Sequence, residues 1–276
     1  MKVISFINMK GGVGKTTSVV EVSTILATKH DKKVLLIDID PQTNATFSLV
    51  DYEYWHNNVS ENTIADVLGR NNNLSSRSAD YDINKAVIKN VAGITNLDLI
   101  SSHLSLTFLD LDLSSQAGRE KILSRQIKKL SSDYDYILID CPPNLTLAPQ
   151  NALVASNYII TPIIPDFYSF LGLPLLINRI DKLRKELEID VSFLGCVFTR
   201  VENQTRLHND FIPKIRDVCE QEGIYSFNTI IPKNIKLSEA SSSSSPASML
   251  FPSEAGVISY NNLVKELLII LEETNE

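Results

Sequence analysis

Lys10-Gly11-Gly12-Val13-Gly14-Lys15-Thr16-Thr17 follows directly on the apolar run Val3-Ile4-Ser5-Phe6-Ile7, and this junction decides the fold. Gly14-Lys15-Thr16 supplies the closing half of the phosphate-loop pattern G-x-x-x-x-G-K-[ST], with Met9 standing where the first glycine belongs. Glycines at 11, 12 and 14 let the backbone turn its N–H groups inward around phosphate oxygens. From Thr16 onward, Ser18–Ala27 reads as a helix whose positive N-terminal end faces the same anion. Strand, loop and helix therefore occur in the order a nucleotide site needs. Lys15 is expected between the β- and γ-phosphates, and the Thr16 hydroxyl on Mg²⁺. Lys10 is a second lysine that the pattern does not require.

Composition sets the frame around this loop. The chain of 276 residues is 43% hydrophobic and 21% charged, which suffices for a full core, and it has no internal repeat. One nucleotide-binding domain over 1–276 is the simplest count. Met1-Lys2 leads straight into the first strand, so no leader or N-terminal accessory domain is expected. No apolar run reaches membrane-spanning length. Cys141, Cys196 and Cys219 are few and widely spaced, which suits reduced thiols in the cytoplasm and gives no paired-cysteine metal signature. A formal net charge of −7 excludes nucleic-acid binding by bulk electrostatics, so any DNA contact must be a local patch.

Helical and strand periods alternate along the chain, predicting an α/β, doubly wound, mostly parallel sheet flanked by helices. Val34-Leu35-Leu36-Ile37-Asp38-Ile39-Asp40 and Tyr136-Ile137-Leu138-Ile139-Asp140 read as buried parallel strands ending in carboxylates. Further strands are expected at Leu97–Ile100, Tyr158–Thr161, Phe193–Phe198 and Thr229–Ile231. Apolar stripes over Arg119–Leu130 and from Leu173 to Leu187 predict core helices, and Gly256–Glu273 a closing one. Tyr52–Asp80 is polar and Asn-rich, with only Ile64–Leu68 apolar enough for a short helix, and is expected to be a surface excursion. The five serines Ser241–Ser245 predict a mobile loop over about 241–248.

Ligands in open α/β sheets lie outside the carboxyl ends of the strands. Asp140 at such an end fits an acid oriented toward the magnesium shell, and Cys141-Pro142-Pro143 stops the strand behind it. Asp38 and Asp40 lie two apart, so a regular strand points both to one face. Asp38 is then expected to face the metal while Asp40 leads the loop Asp40-Pro41-Gln42-Thr43-Asn44 toward the γ-phosphate; an ordinary loop carboxylate before proline is the alternative for Asp40.

These residues resemble a known family. KGGVGKTT, VLLIDIDPQTNAT, YDYILIDCPP and IIPKNIKLSEA together are similar to the ParA/Soj branch of the deviant Walker-A ATPases, a P-loop NTPase group that partitions plasmids and chromosomes. The resemblance spans nearly the whole chain. It implies ATP and Mg²⁺ as ligands and a homodimer formed around ATP, with Lys10 reaching across the two-fold interface to the partner's nucleotide. Such a lysine acts as an arginine finger does, neutralising the transferring phosphoryl group; the alternative is that Lys10 only pairs with its own phosphate or a surface acid. The resemblance further implies that Asp40 orients the attacking water, Asp38 and Asp140 hold the magnesium shell, Thr17 touches the α-phosphate, and Pro232 and Asn234 flank the adenine. Asp166-Phe167-Tyr168 matches another nucleotide-side and interface loop.

The ends of the chain separate it from relatives of that branch. The acidic tail from Lys265 to Glu276 is not the basic amphipathic helix of MinD-type membrane binders, so no membrane is expected as a partner. The family resemblance implies non-specific, salt-sensitive DNA binding through Lys233 and Lys236 with Arg200 and Arg206 beside an earlier loop, a centromere-binding ParB-like partner, and a nucleoid-associated location. Acidic neighbours such as Glu202 and Asp210 dilute that patch, and the serine run replaces the loop usual in the family. Two other readings share the residues: an ATPase that positions a protein cargo on the nucleoid, and a nucleotide-dependent regulator without turnover.

Overall fold

A computed structural model describes residues 1–69, 81–202, 204–240 and 243–273. Its centre is one eight-stranded sheet. The strands are β1 (Lys2–Phe6), β2 (Val34–Asp38), β3 (Val87–Ile88), β4 (Leu97–Ile100), β5 (Tyr136–Asp140), β6 (Tyr158–Ile163), β7 (Ser192–Val201) and β8 (Ser226–Pro232). They lie in the order β3-β4-β2-β5-β1-β6-β7-β8, all parallel except the short β3 against β4. The chain leaves β1 toward β2 on one side and later crosses to β6 on the other. β1 therefore sits at the switch point where a doubly wound sheet opens a crevice for ligand.

The twofold period of the strands sorts the core. Val34, Leu36, Tyr136 and Leu138 pack on one face with helix α1 (Lys15–Lys29), whereas Leu35, Ile37, Ile137 and Ile139 pack on the other. Buried on both faces, these strands carry continuous apolar runs rather than alternating ones. The next helices in the chain are α2 (Asn44–Phe47), α3 (Tyr52–Asn58), α4 (Ile64–Leu68), α5 (Leu109–Asp112), α6 (Ile122–Ile127) and α7 (Leu147–Ala155). After them come α8 (Phe167–Leu187), α9 (Arg206–Gln221), α10 (Ile235–Ala240), α11 (Ala247–Leu250) and α12 (Ala255–Glu273). Helix α12 joins α1 on its face of the sheet, while α6, α7 and one stripe of α8 cover the opposite face. No helix among the described residues is long and apolar enough to cross a membrane.

Three expectations are corrected. The first part of the polar stretch 52–80 is only partly a surface excursion: six of the seven residues of α3 are exposed, but Trp55 is buried against Phe47 and every residue of α4 is buried. Its remainder, 70–80, lies outside the described residues. The serine-rich segment is anchored at its far end, where Ala247 and Ser248 donate their N–H groups to the two oxygens of buried Glu21 at 2.7 and 2.9 Å. Ser241 and Ser242 lie outside the described residues. Strand β2 ends at Asp38, so the alternation that would put Asp40 on the same face stops before reaching it.

Candidate active site

The site is assembled where β1, β5 and β2 end level with one another. Phe6 is the register partner of Asp140, and Asp140 that of Asp38. By alternation, Asp38 and Asp140 share the face of Leu36 and Leu138, which is the face on which α1 begins. The phosphate loop turns between β1 and α1, with Gly12 at φ 73° and Gly14 at φ 83°, a region that favours glycine. A cavity of about 400 Å³ opens over it, lined by Gly11, Gly12, Gly14, Lys15, Thr16 and Thr17 and, across from them, by Asp40. Val13 is fully buried beneath the loop and holds it down through its carbonyl, which accepts from the Thr199 hydroxyl at 2.6 Å.

Side-chain geometry separates the two lysines. Lys15 is buried and donates back to the Lys10 carbonyl at 3.1 Å, bending its ammonium over the loop. Burial lowers its pKa, and Asp140, Cys141 and Asp40 pull the other way. Lys10 instead points out of the phosphate cavity, pairs with Asp166 and lies 3.4 Å from the Ser169 hydroxyl. Asp166 is the N-cap of α8 and accepts from Ser169 N–H at 2.8 Å. Burial works against ionised Asp166, but the Lys10 ammonium and the Ser169 groups outweigh it and hold the carboxyl below its usual range. Phe167 and Tyr168, just after the cap, are exposed.

The carboxylates differ in what satisfies them. Asp140 is fully buried; one oxygen accepts from the Thr16 hydroxyl at 2.7 Å and the other has no hydrogen-bond partner. Burial, and then the neighbouring Asp38 charge, push its pKa well above the carboxylate range. Asp38 is also fully buried, and its oxygens accept from Asp40 N–H at 3.1 Å and from the Thr46 N–H and hydroxyl at 2.8 and 2.7 Å. Burial still raises it to about 7. Asp40, nearly buried at the start of the next loop, is raised by burial and eased by Gln42 N–H, which it accepts at 2.9 Å, and by Lys15.

Magnesium fits this donor set. A buried carboxylate oxygen without a partner beside a threonine hydroxyl supplies hard oxygen ligands that leave room for phosphate oxygens and water. No group of three His, Cys, Asp or Glu side chains that could hold a metal occurs among the described residues, so an all-protein cage is absent.

The predicted adenine-side residues lie next to the loop. Pro232 and Asn234 line a smaller cavity of about 100 Å³ together with Gly14, Thr17 and Arg200. The other predicted basic residues are spread over the surface: Lys233 pairs with Glu202 at 2.9 Å, Lys236 with Glu239 at 2.7 Å, and Arg206 with Asp210 at 3.9 Å. Arg200 does not join them, since it donates to the Gly12 carbonyl at 3.0 Å. Sequence reasoning missed Thr46 and Ser102. The Ser102 N–H donates to the Thr46 hydroxyl at 2.9 Å and its own hydroxyl to the Asp40 carbonyl at 2.6 Å, tying the Asp40 loop to the end of β4. Thr46 lies within VLLIDIDPQTNAT, but its link to Ser102 joins positions 56 apart and leaves no local signal.

Comparisons with known proteins place the chain among its relatives. A family profile described as AAA domain matches residues 1–193. The sporulation initiation inhibitor protein Soj of Bacillus subtilis (strain 168) is 34% identical over 267 residues, covering 96% of this chain and 98% of that protein. The chromosome-partitioning ATPase Soj of Treponema pallidum (strain Nichols) is 33% identical over 272 residues, with 97% of each chain covered. Among solved structures, the cobyrinic acid a,c-diamide synthase from Mycobacterium smegmatis with bound ATP analog and magnesium has a TM-score of 0.76 at 26% identity, over 97% of this chain and 94% of that one. Its name assigns a different reaction to the same fold, so the fold alone does not separate the functions. Matched by the AAA domain profile over more than half of its length and similar over nearly its full length to these Soj proteins, the chain is a member of the AAA domain family and of the Soj/ParA group of chromosome-partitioning ATPases.

Proposed function

We propose that this protein is a Mg²⁺-dependent ATPase that works as a nucleotide-gated dimerisation switch in DNA partitioning. ATP joins two copies; the dimer binds DNA without sequence preference and associates with the nucleoid; a centromere-binding ParB-like partner then stimulates a slow intrinsic hydrolysis. The observation that carries this reading is the position of Lys10. It belongs to the phosphate loop, yet its side chain lies outside the phosphate cavity, on the N-cap of α8 beside exposed Phe167 and Tyr168. On leaving Asp166 it would serve a nucleotide presented by a second copy rather than its own. Two triphosphates brought face to face would repel, and a lysine from each side offsets that repulsion, which makes dimerisation depend on ATP.

Within each subunit, Lys15 clamps the β- and γ-phosphates, Thr17 meets the α-phosphate, and Pro232 and Asn234 flank the base. Thr16 and Asp140 would hold Mg²⁺, which supplies charge neutralisation on the phosphates when bound. Asp38, whose oxygens are already occupied by protein donors, would act in the outer shell by fixing the Asp40 loop, and Asp40 orients the attacking water. Lys233, Lys236 and Arg206 would exchange their exposed carboxylate partners for DNA phosphates, because such surface pairs contribute little. Light scattering on size-exclusion fractions tests the switch: wild type should dimerise with ATP and Mg²⁺ but not with ADP, and Lys10→Ala should stay monomeric. A Lys10→Ala protein that dimerises as wild type does would remove the cross-subunit role.

A further inference from the structure

We propose that Arg200 contacts the polyphosphate of the nucleotide held by its own subunit, at the junction between the phosphate cradle and the base slot. The proposal rests on reading the cavity as a nucleotide site and adds a residue to it. Near the end of β7, Arg200 has a φ of 53°, a left-handed backbone that a residue with a Cβ occupies only when its surroundings hold it there. Here the hold is visible. Thr199 donates its hydroxyl to the Val13 carbonyl at 2.6 Å, and Arg200 donates Nη1 to the Gly12 carbonyl at 3.0 Å, so consecutive residues of β7 are fastened to consecutive carbonyls of the phosphate loop.

The turn delivers a cation to a specific place. Arg200 lines both the larger cavity over the loop and the smaller one beside Pro232 and Asn234, and among the described residues it and Lys15 are the two cations lining the larger. Thr17 and Gly14 line both cavities as well, so Arg200 sits where the two cavities meet, with its Nη1 on the Gly12 carbonyl. A guanidinium carries five N–H donors in a planar fork suited to phosphate oxygens, and the Gly12 carbonyl is its hydrogen-bond partner among the described residues. Arg206, Lys233 and Lys236 each pair directly with a carboxylate, whereas Arg200 hydrogen-bonds a loop carbonyl at the cavity wall and acts on Glu202 only through its charge.

The test is calorimetric titration of ADP and ATP with Mg²⁺ into wild type, Arg200→Gly and Arg200→Lys over a series of salt concentrations, with retention on arbitrary duplex DNA measured in parallel. Glycine suits the observed φ, so Arg200→Gly should keep the wild-type melting temperature, and Arg200→Lys serves as a second variant that retains the charge. Loss of a charge-assisted contact should weaken both nucleotides by about tenfold or more in Arg200→Gly and flatten the salt dependence of binding. Arg200→Lys should recover the salt dependence but not the full affinity, because an ammonium cannot reproduce the fork. Wild-type nucleotide affinity in both variants overturns the proposal, and loss of DNA retention alongside it assigns Arg200 to DNA. Weakened binding with an unchanged salt dependence also overturns it, leaving Arg200 as a brace of the loop. A wild-type protein that binds neither nucleotide refutes the nucleotide-site reading itself, which is a separate result.

Discussion

Replacing Asp140 with asparagine should stabilise the metal-free protein at pH 8 and abolish its response to Mg²⁺. Asp38 and Asp140 are register partners on adjacent strands and both are fully buried. Neighbouring strands lie about 4.8 Å apart. Two charges at that spacing repel by about 3 kcal/mol at an effective dielectric of about 20. Lys15 offsets part of this, but one Asp140 oxygen remains without a partner. A carboxyl whose folded pKa is raised costs stability above that pKa and regains it as pH falls through the folded value toward the unfolded one. For a carboxyl still protonated in the fold but ionised when unfolded, each pH unit is worth about 1.4 kcal/mol. The variant's advantage should therefore be about 2–3 kcal/mol or more at pH 8, roughly 5–10 °C in melting temperature, should be smaller at pH 6, and should vanish only toward the unfolded carboxyl value of about 4. Wild type in EDTA should itself melt higher at pH 6 than at pH 8. Circular-dichroism melts at the two pH values, with EDTA and then with Mg²⁺ and ADP, measure both effects. Equal destabilisation of Asp140→Asn at pH 6 and pH 8 would refute the reasoning, because it would mean that the buried carboxyl carries no uncompensated charge.

Two further outcomes follow from exposed pairs. Asp166→Asn keeps an N-cap for α8 but removes the charge that holds Lys10, and since partly exposed pairs are worth about 0–1 kcal/mol, ATP-dependent dimerisation should strengthen by up to about fivefold. Sedimentation equilibrium checks this, and an unchanged or weaker dimer would show that the pair does not compete with the interface. The double variant Lys233→Glu, Lys236→Glu should lower DNA affinity and reduce the log–log salt slope by about 2, one phosphate contact for each lysine. An unaltered slope in a fluorescence-anisotropy titration would place the DNA contact elsewhere.

Much of the fold was legible because its strands are short, apolar and bounded by chemistry. Tyr136–Asp140 and Leu97–Ile100 match their expected limits, and α1 and α12 begin within a residue of theirs. The two-residue β3 carries too little pattern to be read. Helix α7 is apolar around most of its circumference and so lacks a stripe, while α9 is amphipathic but crowded with charge and contains Pro213. The polar composition around Trp55 hid its burial, because the ring packs against Phe47 and His103 rather than into an aliphatic stripe. The serine-rich segment misled for a related reason, since the carboxylate that anchors it belongs to α1, 226 residues earlier.

Local spacing alone determined the phosphate loop, the helix that follows it, and the carboxylates at the ends of β2 and β5. These are consequences of strand and helix periods, which act within a few residues. What stands opposite each of them was decided by the order of the sheet. Placing β5 between β1 and β2 sets Asp140 beside Asp38, and placing β6 and β7 on the far side of β1 carries Asp166 to Lys10 and Arg200 to Gly12. Those last two pairs are 156 and 188 residues apart, well beyond the range over which periodicity carries information. The sequence marked the lysine that is out of place, and the tertiary structure decided where it rests.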